Sequence, residues 1–116
     1  MRFTVKRSKW VRGGLNTKYG PTYLLNKEGN MCCLGFVCKK LGASKDELFR
    51  VGFPSFIQSS HKIAKTFQEL LPDLDGKVFE DEAASINDDP LLKPNTREAR
   101  LKKLFRSRGH EIVFVP

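Results

Sequence analysis

The side chains that could do covalent or coordination chemistry fall in three places. Cys32, Cys33 and Cys38 lie in one apolar run, Asn87, Asp88 and Asp89 follow the acidic stretch Glu80-Asp81-Glu82, and His61 and His110 stand apart. A thiolate is a nucleophile and a metal ligand. Zinc, however, recruits cysteines two to four residues apart together with a second pair. Cys32 and Cys33 are adjacent and would point about 100° apart on a helix, so no metal is expected there. The carboxylates could in principle hold Mg²⁺ or Ca²⁺. They lack a spaced loop of oxygen ligands, and Asp88-Asp89-Pro90 reads instead as a helix end and turn. No cofactor is expected. Two adjacent cysteines within an odd count do not suggest a disulfide framework. Buried free cysteine behaves as a small hydrophobe, and the three are read as reduced core residues.

Local patterns indicate the elements that must hold these groups. Arg2-Phe3-Thr4-Val5-Lys6 alternates with the period of a half-buried strand. Ser8 is placed to cap a short helix through Trp10 and Val11, ended by Gly13-Gly14. Tyr23-Leu24-Leu25 reads as a strand, and Asn26 to Asn30 as a turn around Gly29. Met31 to Gly42 is apolar on all sides, with Asn30 as its cap, Lys39 and Lys40 at its negative end and Gly42 in the left-handed position beyond it; this predicts a helix at the centre of the core. Ser44 opens a second helix, Lys45 to Arg50, and Phe53 to Ile57 is irregular. Residues 60–71 show helical spacing of Ile63, Phe67 and Leu70, with Pro72 as the stop. Asp73 to Gly76 is a turn, Glu80 to Ile86 a short acidic helix, and Leu91 to Pro94 a loop. Asn95 with Glu98 is a capping-box pattern for a helix reaching Arg108, whose core stripe is Leu101, Leu104 and Phe105. Glu111 to Val115 is a final strand, placed to pair with the first. The prediction is a single α+β domain over residues 1–116: a small sheet including the N- and C-terminal strands, packed with four or five short helices.

Composition bounds the function classes. A chain of 116 residues, 40% hydrophobic and with nine phenylalanines, has enough apolar surface for one core without staples. No apolar run approaches the roughly 20 residues of a membrane helix, and no signal-like apolar region follows the basic start, so a cytoplasmic location is expected. Charge is uneven. Residues 1–27 carry seven basic and no acidic side chains, residues 28–90 seven and eleven, and residues 91–116 seven and two, within a net charge of +8. Basic ends around an acidic middle imply an anionic partner surface, or attraction between parts of one fold.

Trp10, the run Met31-Cys32-Cys33-Leu34-Gly35 with Cys38 after it, and Asn87-Asp88 together resemble a group of small uncharacterised phage and prophage proteins. Those share a tryptophan-bearing start, a Cys-Cys-Leu-Gly-x-x-Cys centre and a later Asn-Asp pair. The resemblance spans residues 8–90; the basic helix and strand that follow depart from it. It implies a phage context and an accessory protein that binds host machinery, in the host cytoplasm. Separately, Cys33-Leu34-Gly35-Phe36-Val37 resembles the start of the catalytic helix of NlpC/P60 papain-like peptidases, and Gly109-His110-Glu111-Ile112-Val113 resembles their histidine strand. That resemblance implies Cys33 as nucleophile, His110 as base and Asn87 as the residue orienting the imidazole. Against it, Cys32 stands where those enzymes carry aspartate and Leu34 where they carry serine.

The expectation is a non-catalytic binding protein whose partner is a host or defence protein or a nucleotide-like anion. If the termini lie together, Arg2, Lys6, Arg7, Lys9 and Trp10 with Arg100, Lys103 and Arg106 form its contact surface. The alternatives are the Cys33–His110 hydrolase and a nucleic-acid-binding protein whose basic termini and aromatic Trp10 and Tyr19 meet phosphates and bases.

Overall fold

Every second side chain of the first segment is apolar, so it forms a strand, β1 (Arg2–Lys6), with Phe3 and Val5 fully inside and the others in solvent. The last strand, β2 (Glu111–Val115), lies beside it in parallel, in a register that pairs Arg2 with Glu111 and Lys6 with Val115. A parallel pair needs a crossover. Here it carries the five α-helices of the described residues: α1 (Cys33–Lys40), α2 (Lys45–Leu48), α3 (His61–Leu70), α4 (Phe79–Asp88) and α5 (Pro94–Arg106). The computed structural model describes residues 1–14, 20–57 and 61–116. The architecture is the expected α+β fold with both terminal strands in one sheet. Phe67, Phe79, Phe105 and Phe3 stack edge to face at centroid distances of 5.9, 5.1 and 5.7 Å, linking α3, α4, α5 and β1. No helix among the described residues is long and apolar enough to cross a membrane.

Helix α1 is the buried helix that its composition predicts, with Cys33, Leu34, Gly35, Val37 and Cys38 inside. β1 and α4 both pack against it. Gly35 lets the Leu24 carbonyl approach: a Cβ there would lie 1.9 Å from that oxygen. Gly42 (φ +104°) ends the helix, its N–H donating to the Lys39 carbonyl and the Ala43 N–H to the Cys38 carbonyl, both at 3.0 Å.

Several elements differ from expectation, each because a distant partner takes the backbone. Asn30 does not cap α1. Residues 30–32 stay extended because the Met31 N–H donates to the Lys9 carbonyl and the Val11 N–H to the Met31 carbonyl, both at 2.9 Å, and Cys32 occupies the cap position. The same pairing holds Trp10 extended, so Ser8 caps no helix and only a 3-10 turn forms at Arg7–Lys9. Tyr23 to Leu25 is no strand; a single bridge joins Leu25 to Phe49. That bridge also stops α2 at Leu48, although its Ser44–Glu47 capping box forms. A 3-10 turn occupies Pro54–Phe56. Ser60, the expected start of α3, lies outside the described residues, as does Tyr19. Helix α4 runs beyond its expected ends to Phe79 and Asp88. The Asn95–Glu98 box does not form: Lys93 is the cap of α5, Pro94 opens it, and the Glu98 carboxylate accepts two bonds from Arg7. The helix ends at Arg106 rather than Arg108, and the His110 N–H closes the turn onto the Phe105 carbonyl at 3.1 Å.

Candidate functional site

Trp10, Cys33 and the Asn87-Asp88 pair meet at one buried amide. Asn87, at the end of α4, is 1% exposed. Its Oδ1 accepts the Trp10 indole N–H at 2.7 Å and the Cys33 backbone N–H at 3.1 Å. Its Nδ2 donates to the Val11 carbonyl at 3.0 Å and to Asp88 Oδ1 at 2.9 Å. The first N–H groups of a helix have no partner within it. Asn87 supplies that partner to α1 from the far side of the chain, and at the same time anchors Trp10, whose ring lies 4.9 Å from that of Phe114. Trp10, the cysteine run and the Asn-Asp pair thus form one structural joint.

The hydrolase arrangement does not assemble. The Met1 amino group donates to His110 Nδ1 at 3.0 Å, and His110 Nε2 donates to the Leu70 carbonyl at 2.8 Å. Neither ring nitrogen is left for Cys33 Sγ, and the Asn87 amide is committed to Trp10, Cys33 and Val11. Cys33 is fully buried. Burial pushes all three thiols up, Cys32 to about 12, so the thiolate that a nucleophile needs is disfavoured. The cleft beside Cys32, Cys33, Asn87 and Asp88 measures about 100 Å³, room for a few waters and too small for a peptide. Asp88 faces this cleft with its carboxyl pKa raised by burial. Asp89 does what its turn predicts: its Oδ1 accepts the Leu91 N–H at 2.9 Å.

The expected basic contact surface is not one surface. Trp10 is 1% exposed and has no face to offer a partner, because its N–H is held by Asn87 and its ring is covered by Phe114 and the Arg12 guanidinium. Arg7 is turned onto Glu98 in a two-pronged bond of 2.8 and 2.7 Å. Arg2 lies 3.6 Å from Glu111 in solvent. Arg100 and Lys103 border one depression with Glu82 and Arg108, and Arg106 borders another with Lys102 and His110. Of these residues only Lys6 and Lys9 open onto a groove of about 760 Å³.

Leu25, Met31, Phe36, Ala43, Leu48 and Phe49 pave the floor of that groove. Phe49 is 45% exposed, although the Leu25 bridge fixes its backbone. Lys6, Lys9, Lys27, Lys39 and Lys45 rim the groove with a single carboxylate, Asp46. Among the described residues none of these five lysines is in an ion pair. An apolar floor under a cationic rim suits an anion with an apolar body. Lys27, Lys39, Lys45 and the floor escape sequence reasoning because residues 25–31, 36–39 and 43–49 meet around one opening only on folding. The signal that remained was the apolar Phe49 between the short α2 and Arg50.

Arg97 is a second residue whose role the sequence hides. It is 5% exposed and donates to the carbonyls of Ile86, Asp89 and Leu92, satisfying the end of α4. Burial and the nearby Arg12 lower its pKa. Comparison of the chain with family models, curated proteins and solved structures yields no match.

Proposed function

We propose that this chain is a non-catalytic binding protein, an accessory module of the phage type implied by its Cys-Cys-Leu-Gly and Asn-Asp motifs, that engages an anionic determinant on a host or defence component. The lysine-rimmed apolar groove is the observation that carries the reading. The burial of Cys33 and the engagement of both His110 nitrogens support it over the hydrolase. The burial of Trp10 and the separation of Arg100 and Lys103 from Arg106 support it over a single-strand-binding surface built on the basic termini, which would need Trp10 exposed for base stacking.

Anilinonaphthalene sulfonate, an aromatic anion, tests the groove directly. The expected result is saturable fluorescence enhancement at one site, weakened about tenfold by the pair Lys27→Glu and Lys45→Glu, with unchanged circular dichroism. Enhancement indifferent to those charge reversals, or none, would sink the reading.

A further inference from the structure

The make-up of the groove discriminates among anions. We propose that its occupant is an acidic segment of a partner protein, with large apolar side chains seated on the floor and carboxylates spread among the rim lysines; this deepens the binding reading above and rests on it. The rim cations come from five places: Lys6 from β1, Lys9 from the 3-10 turn, Lys27 from the turn before α1, Lys39 from the end of α1 and Lys45 from the start of α2. Their charge is distributed around the opening rather than focused on a point.

A phosphate group is held by converging backbone N–H groups or guanidinium forks; no arginine lines the groove, and Arg50 lies over the Phe49 ring at 5.3 Å instead. The Glu47 N–H at the start of α2 is taken by Ser44 Oγ at 3.2 Å, and the Ser44 N–H by Glu47 Oε1 at 2.9 Å. The first N–H of α1 faces Asn87 in the interior. All five rim cations are lysines, point charges on flexible stems that adapt to separated carboxylates. A lipid surface is met by apolar groups that protrude, whereas here they floor a concavity. A groove of about 760 Å³ accommodates several side chains of an extended segment, and a net charge of +8 draws an acidic chain toward it.

Displacement of the bound sulfonate dye from the intact protein decides the matter. A short peptide alternating glutamate and leucine is the probe, with an alternating glutamate and serine peptide of equal charge as its control. The leucine peptide should displace the dye at least about tenfold more effectively than the serine peptide and lose about tenfold with Lys27→Glu and Lys45→Glu. Phe49→Ser, at an exposed position, should weaken it severalfold, whereas Arg100→Glu on a different surface should leave it unchanged. Equal displacement by both peptides, or indifference to Phe49→Ser, would overturn the proposal. So would displacement by ATP, tripolyphosphate or phosphatidylserine vesicles where the leucine peptide fails; in that outcome the groove still binds an anion and only the peptide assignment falls. Failure of the dye itself to bind in the groove removes both readings.

Discussion

Asn87 satisfies two buried donors, the Trp10 indole N–H and the Cys33 amide, and covers one acceptor, the Val11 carbonyl. Removing the amide strands all three, and each orphaned buried group costs about 1–3 kcal/mol. Asn87→Ala should therefore destabilise by about 3 kcal/mol or more in urea unfolding, and a loss below about 1 kcal/mol would contradict this account of the joint. Its neighbour Asp88 makes an opposite prediction. Burial raises its folded pKa, so the native state binds its proton more readily than the unfolded chain does. Stability then falls as pH rises from the ordinary aspartate range through the raised folded value. Asp88→Asn keeps the oxygen that Asn87 needs and should raise the melting temperature at neutral pH, with the gain fading as pH drops to that ordinary range. The thiols give a third expectation. With all three cysteines buried, a thiol reagent at neutral pH should modify none of them until denaturant opens the core; prompt labelling of Cys33 in the native state would revive the hydrolase.

At the scale of elements, α1 depends on two glycines for different reasons. Gly35 makes room for a backbone: the Leu24 carbonyl occupies the space of a Cβ, at 1.9 Å, and backbone cannot swing aside as a side-chain tip does. Gly42 meets nothing within 4 Å and is required only by its backbone angle. Gly35→Ala should thus cost several kcal/mol, about 3 or more, and Gly42→Ala about 1–2 kcal/mol. Equal losses in calorimetric melting would show that the Leu24 segment yields. The caps of α1 were legible unequally. Its C-terminal cap uses Gly42, its own immediate neighbour, and reads directly from sequence. The acceptor for its first N–H sits 54 residues away on Asn87, and nothing near Asn30 announces it.

Across the whole molecule, the uneven charge of the chain is resolved partly within the fold. Arg7, just after β1, grips Glu98 of α5 across 91 residues. Arg108 from the basic end reaches Glu82 of the acidic middle at 3.7 Å, donates to the Pro72 carbonyl and lies over the Phe79 ring. The Arg7 hydrogen bonds hold the Glu98 carboxyl below its usual range. A depressed folded pKa contributes stability above the unfolded value and loses it as pH falls through the folded one. Glu98→Gln should therefore cost about 1 kcal/mol or less of stability at neutral pH, for a pair so near solvent, and become silent in acid. A constant loss across that range would show that Glu98 acts through packing and not through charge.

Sequence by itself determined what depends on neighbours along the chain: the alternation of the first strand, the amphipathic spacing of α3 and α5, the Ser44 start of α2, the Gly42 stop and the burial of a helix apolar on every side. Those features follow from backbone sterics and the period of each element. Only the tertiary structure decided the fate of Trp10, Arg7 and Glu98, because their partners lie 77 and 91 residues away and outcompete the local roles that their types suggest. It alone gathered five lysines from separate segments around Phe36 and Phe49. Such a groove exists in space and has no counterpart in the linear order of residues, which is why the candidate site was the part least visible before folding.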